Sequence, residues 1–473
     1  MKLLQIISLN LLVIIATACA NKQPAENIGA IANDTSTTIT TSNVTDSFPA
    51  GKIISNVICK NNATQSYALY LPPQYKQSSS VIYFFDAHGD GALPLKNYKA
   101  LADKYNYVLI GSNNSKNGND WQTTENIWQN LFNDTQSRLT LNNHLIYTCG
   151  FSGGAKVASY IALHHTEIKG VVANSAGLPD ETPANNFNFS FTGLAGKGDM
   201  NMTDLVALNN DLDKTQTKHR LILFNGKHEW APESAMDIAF AGLQFDAMRN
   251  HVVAKKDSLI NIFINNSKKR IDSSIKKNDF IQAENECTLA VNMLDGITDI
   301  NWFKQKDNSI KNETAYKNQL QQQQNLFEFE QNKKAEYNDQ FQKGDMNYWN
   351  KTINDLTLKS KVLTSEGLMY QRLLAYLSLA FYSISNQLLN QNQNKEAEYF
   401  VTLYKMADPA NSEAWYLSAI LDARNNNANA VNEDLMKAVE NNFTDTIRML
   451  QQPEFINIQS QINFSAIENK MKQ

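Results

Sequence analysis

The sequence predicts an α/β domain built on a mostly parallel sheet, followed by an all-helical, repeat-like domain. Three observations carry this. From residue 52 to about 250, short apolar runs alternate with helix-period segments after an initial pair of strand-like runs. That alternation builds a parallel sheet flanked by helices. One run, Val81-Ile82-Tyr83-Phe84-Phe85, is continuously apolar, as a strand covered on both faces is. Beyond residue 250 the composition changes: of 19 glycines only Gly296, Gly344 and Gly367 remain, and no histidine follows His251.

In chain order, Lys52–Cys59 and Tyr67–Leu71 read as two strands joined by a polar turn at Asn61-Asn62, with Pro72-Pro73 closing the second. Strand Val81–Phe85 ends in Asp86-Ala87-His88-Gly89-Asp90-Gly91, and a helix over Leu95–Tyr105 and a strand over Tyr107–Ile110 follow. A polar loop over 111–120 leads to a helix over Ile127–Leu139 and a strand over His144–Cys149. Strands at Ile168–Ala173, Phe187–Leu194 and Arg220–Asn225 are interleaved with helices at Thr203–Thr215 and Glu233–Asn250. In the second half, Lys395–Ala407, the segment after Asp408-Pro409 containing Trp415 and Leu417, and Leu435–Val439 with Ala438 are spaced like tetratricopeptide helix pairs. The domains are therefore expected at 51–250 and 251–473.

The N-terminus reads as an export signal: Lys2, an apolar run to Ile15, then Ala16-Thr17-Ala18 before Cys19. Small residues before a cysteine resemble a bacterial lipobox, with 1–19 as signal and Cys19 as the lipidated residue. Ala20, not aspartate, follows, which by resemblance to Gram-negative lipoproteins implies a periplasm-facing anchor in the outer membrane. Residues 20–50, rich in Asn, Thr and Ser, read as a flexible tether. Of four cysteines, Cys59, Cys149 and Cys287 remain after the signal, and buried free thiols are expected rather than a disulfide framework. A formal net charge of −4 gives no reason to expect nucleic acid.

The chemistry centres on Gly150-Phe151-Ser152-Gly153-Gly154, a G-x-S-x-G pattern between an apolar run and a helix-period segment beginning at Ala155. Strand, tight turn and helix is the setting that makes such a serine a nucleophile. A serine hydroxyl needs a base, and of seven histidines His228 stands just past the last strand, where open α/β sheets place their sites. The acid should lie between them in the chain. Asp199 follows the penultimate strand on Gly196-Lys197-Gly198, with Asp204 and Asp180 as rivals. Oxyanion donors are expected from the amide of Gly153 and from that of Gly89 or Asp90.

With these elements in place, residues 52–250 resemble an α/β-hydrolase. Gly226-Lys227-His228-Glu229-Trp230-Ala231-Pro232 with the serine motif resembles the secreted polyhydroxybutyrate-depolymerase and feruloyl-esterase branch, although Trp230 and Pro232 are separated by one residue and the Asp86–Gly91 loop departs from that branch. The resemblance implies hydrolysis of an ester-bearing small molecule or polymer through an acyl-enzyme, with no metal or organic cofactor. Trp230 either stacks on substrate or packs the turn. The helical half offers a surface for a protein partner. Two other readings stay open: an envelope scaffold with an idle hydrolase domain, and a serine peptidase.

Overall fold

The computed structural model describes residues 47–76 and 78–471; Cys19, the signal and most of the tether lie outside them. The chain forms two compact units, residues to 197 with 201–319, and 198–200 with 320 onward.

The first unit is organised by an eight-stranded sheet. In sequence it runs β1 (Ile53–Cys59), β2 (Asn62–Tyr70), β3 (Ser79–Phe85), α1 (Ala92–Tyr105), β4 (Tyr107–Ser112), α2 (Trp121–Arg138), β5 (Leu141–Phe151) and α3 (Gly153–His164). It continues through β6 (Ile168–Asn174), β7 (Ser190–Gly196), α4 (Met202–Leu212), β8 (His219–Phe224) and α5 (Glu233–Arg249). The strand order is β1-β2-β4-β3-β5-β6-β7-β8. The β1–β2 and β2–β4 pairings are antiparallel and all others parallel. This is the α/β-hydrolase arrangement, and the expected fold class is observed. The order reverses beside β3, which lies between β4 and β5; ligands of open α/β sheets bind at the carboxyl ends of strands flanking such a reversal.

The continuous apolar run of β3 has its reason in packing. Tyr83 meets Trp128 of α2 edge-on at 5.0 Å, whereas Phe84 stacks on Tyr98 of α1 at 6.1 Å, so successive residues bury opposite faces. Both ring sets are fully or almost fully buried. Several elements are longer or shifted relative to the sequence reading. The first hairpin turns at Lys60-Asn61, because Asn62 already pairs with Cys59. Helix α2 begins at Trp121, where the Asp120 carboxylate caps it by accepting from the Thr123 amide at 2.7 Å; the polar first turn carries no apolar period to announce it. Strand β7 begins at Ser190, while Phe187 stays in the preceding loop, its amide donating to Thr217 Oγ1.

Helices α6 (Asp257–Lys276), α7 (Phe280–Leu294) and α8 (Asn301–Asn312) belong to the same compact unit. Arg220 of β8, 2% exposed, pairs with Asp246 of α5, and its Nη1 reaches Met293 Sδ of α7 at 3.2 Å. Arg249 bonds the Met293 and Asp295 carbonyls. Cys59, Cys149 and Cys287 are free and buried.

The second unit is all-helical. Helix α9 (Thr314–Lys343) runs through the division between the units and is followed by α10 (Met346–Lys359), α11 (Ser365–Asn390), α12 (Asn394–Ala407), α13 (Ser412–Arg424) and α14 (Ala428–Glu440). Three short helices, α15 (Thr446–Gln451), α16 (Pro453–Asn457) and α17 (Phe464–Met471), close it. The Asn-rich turn between α13 and α14 works because Asn426 takes the left-handed conformation, φ 54°, which asparagine tolerates better than most residues. Trp349, Phe381, Tyr416, Leu417 and Ala438 lie in its core. Among the described residues no helix is long and apolar enough to cross a membrane.

One carboxyl in this unit sets a pH dependence. Burial, and then the neighbouring Asp434 carboxylate, push Asp422 of α13 up to about 6; Lys405 pulls the other way and Glu398 adds to the rise. A folded-state pKa above the unfolded value of about 3.9 favours folding while the group is protonated, and this contribution is lost as pH rises from about 4 through 6. Asp422→Asn is therefore expected to stabilise the chain at pH 7.5 by about 1 kcal/mol, the shift being discounted for partial exposure. Relative to wild type, the gain should shrink towards zero at pH 4. Urea midpoints at the two pH values check it; equal gains at both would contradict it.

Candidate active site

The turn after β5 is dictated by its glycines. Ser152 sits at φ 54°, ψ −122°, a conformation costly for a side-chain-bearing residue and held only by tight surroundings. A Cβ on Gly150 would lie 2.0 Å from the Gly154 carbonyl oxygen, and one on Gly154 would lie 1.9 Å from that of Phe85. The two glycines thus let the first turn of α3 close against the ends of β5 and β3. The Ser152 amide donates to the Asn174 carbonyl at 2.9 Å, which fixes the turn to β6. The result raises the Ser152 hydroxyl above the sheet at the N-terminus of α3, where the first amides of a helix lack internal partners.

His228 comes to the same point from a segment 76 residues away: its Nε2 lies 3.0 Å from Ser152 Oγ. The loop carrying it is held at several places. Asn174, fully buried, accepts from the Ala231 amide at 2.6 Å and donates to the Glu229 carbonyl at 3.2 Å. The Tyr98 hydroxyl donates to the Ala231 carbonyl at 2.7 Å. The Phe151 ring lies 4.9 Å from the imidazole. Cys149, three residues before the serine, is no rival nucleophile: it is fully buried and burial pushes its thiol well up.

The three acid candidates differ sharply in setting. Asp199 is fully buried beyond β7. The end of that strand runs beside the His228 loop: a Cβ on Gly196 would meet the Lys227 and Gly226 carbonyl oxygens at 2.4 and 2.5 Å, and the Lys197 amide donates to the Phe224 carbonyl. Asp204 is exposed in the first turn of α4. Asp180 is exposed and paired with Lys156 at 2.6 Å.

The loop after β3 brings Gly89 and Asp90 to the site's edge. Gly89 is at φ +80° and its amide donates to the Asp86 carbonyl at 3.2 Å, so that amide is engaged within the turn. The Asp90 carboxylate accepts from the Ala92 and Leu93 amides and starts α1. Trp230 is half-buried, packed 5.5 Å from Phe151 and 5.9 Å from Tyr98, and its indole N–H donates to Asp86 Oδ2 at 2.8 Å. Burial would raise the Asp86 carboxyl, but donors from His88 and Trp230 outweigh it and hold it below the usual range.

A cleft of about 190 Å³ opens beside Gly153, lined among others by Asn117, Trp121, Lys156 and Val157. Trp121 stacks on Tyr160 at 4.6 Å and 12°. Sequence reasoning missed Asp86, Asn174 and Trp121 as site residues. Only Trp121, a large aromatic beside a polar loop, carried any signal. Among the described residues no group of three or more His, Cys, Asp or Glu is placed to hold a metal ion.

The sheet order and its flanking helices define an α/β-hydrolase-type fold. No protein-family model matches the chain, and no curated protein matches it in sequence. Solved structures resemble part of it. An esterase from Pyrobaculum calidifontis is 11% identical, with 42% of this chain and 85% of that one covered and a TM-score of 0.34. A fluorophosphonate-binding serine hydrolase from Staphylococcus aureus is 13% identical over 41% and 99%, TM-score 0.34, and a ferulic acid esterase 12% over 41% and 97%, TM-score 0.32.

Proposed function

We propose that the chain is a serine hydrolase acting on carboxylic esters, with Ser152 as nucleophile, His228 as base and Asp199 as the acid behind it. The observation that carries this is the 3.0 Å contact between His228 Nε2 and Ser152 Oγ on a strained strand-to-helix turn. To accept the serine proton, Nε2 must be unprotonated, so Nδ1 must carry the hydrogen; a carboxylate facing Nδ1 selects that tautomer and stabilises the imidazolium formed. Oγ attacks the ester carbonyl, its proton passes to Nε2, and the oxyanion accepts from the Gly153 amide. The Gly89 amide being engaged, Asp90 is favoured as the second donor. Imidazolium then protonates the leaving alcohol, and water deacylates the serine by the reverse proton path. In this reading the cleft beside Gly153 receives the group borne by the reacting carbonyl.

An amide can enter the same path, so a peptidase is the second reading; a panel of activated esters and peptides separates them. A fluorophosphonate probe tests the core. It should label the wild-type chain covalently and leave Ser152→Ala unlabelled; absence of label on folded wild type would favour the scaffold reading instead.

We further propose that Cys19 carries a lipid anchor, on the strength of Ala16-Thr17-Ala18 before it. Cys19→Ser should move the protein from the membrane to the soluble fraction. Retention of the variant in membranes through a high-salt wash would exclude the anchor.

A further inference from the structure

Resting on the serine-hydrolase reading, we propose that Asp86 is a positioning residue that sets the base loop and the oxyanion loop in one fixed register. Its two carboxylate oxygens face different loops. Oδ2 accepts from the Trp230 indole at 2.8 Å, two residues past His228. Oδ1 accepts from the His88 amide at 2.8 Å, immediately before Gly89-Asp90, with His88 Nδ1 at 3.3 Å. The backbone of Asp86 adds a further link: its carbonyl oxygen accepts from the Gly89 amide at 3.2 Å.

Oxyanion loop and base loop thus converge on one residue that is 1% exposed. A buried carboxylate costs several kcal/mol unless donors satisfy it, and here each oxygen is satisfied by a different loop. Neither loop can shift without leaving a buried lone pair unmet, which is what makes the link stiff. Asparagine cannot replace it: one amide oxygen can accept from Trp230 or from His88 N–H, while its NH₂ would face the other donor. Misplacement of reacting groups by about 1 Å costs on the order of 100-fold in rate, so loosening this link should be visible in turnover.

The experiment compares wild type, Asp86→Asn, Trp230→Phe and the double variant on a p-nitrophenyl ester and with a trifluoromethyl ketone, whose hemiketal mimics the oxyanion. Asp86→Asn should lower kcat by about 10- to 100-fold with KM within about threefold, and weaken the ketone in proportion to kcat. Trp230→Phe, which touches no oxyanion donor, should still weaken the ketone several-fold, and the double variant should be no worse than Asp86→Asn alone, because both remove the same link. Additive losses, or ketone affinity unchanged in Trp230→Phe, would overturn the inference; the latter also decides the matter should Asp86→Asn fail to fold. Failure of the serine reading looks different: wild type itself would then neither turn over the ester nor react with a fluorophosphonate.

Discussion

Ser152→Ala and His228→Ala are each expected to reduce ester turnover by about 10⁴- to 10⁶-fold, with the double variant little worse than either single one. Members of a nucleophile–base pair act as a unit, so removing one leaves nothing for the other to do. In the proposed mechanism the hydroxyl is activated by Nε2, 3.0 Å away, and a methyl at position 152 offers neither attack nor proton. Both variants should fold. Ser152 reaches its turn through its backbone amide, bonded to Asn174, and the His228 loop is anchored at Glu229, Trp230 and Ala231. Single-turnover and steady-state rates on a p-nitrophenyl ester, alongside circular dichroism, check this. Wild-type-like turnover in folded His228→Ala would require another base.

Asp199→Asn should cost on the order of 10⁴ in kcat while Asp204→Asn stays within about twofold. The amide keeps the shape of the carboxylate, but it allows the imidazole tautomer with hydrogen on Nε2, which cannot accept from Ser152. It also withdraws the charge that stabilises the imidazolium. The contrast between the two aspartates is the informative part, since Asp199 is fully buried at the end of β7 and Asp204 is exposed on α4. A large loss in Asp204→Asn with none in Asp199→Asn would reverse the assignment.

Much of this domain could be read without coordinates because its information is local. Apolar periodicity located every strand of the sheet, and the glycines flanking Ser152 announced a turn that only small residues permit. The 2.0 and 1.9 Å approaches at Gly150 and Gly154 are the physical reason for that motif. Chain order then brought His228 forward as the candidate base, since its place beyond a terminal strand is a topological fact rather than a matter of side-chain detail. Boundaries slipped where local signal was thin, as in the polar first turn of α2 and at Phe187, which stays outside β7 although its apolar run looks continuous with it.

What the sequence could not decide are relations between distant side chains. Burial separates Asp199 from Asp204, five residues apart, and no pattern in the chain distinguishes them. Asp86 reads as a turn residue in Asp-Ala-His-Gly-Asp-Gly; its link to Trp230 spans 144 positions and exists only because β3 ends beside the His228 loop. Asn174 looks like a strand-end asparagine until its amide is seen between Glu229 and Ala231. Trp121 faces the cleft beside Gly153 because Tyr160 of α3 lies flat against it. Periodicity and turn chemistry are written within a few residues of the chain, whereas buried partners are chosen by how whole elements pack, and that choice belongs to the tertiary structure.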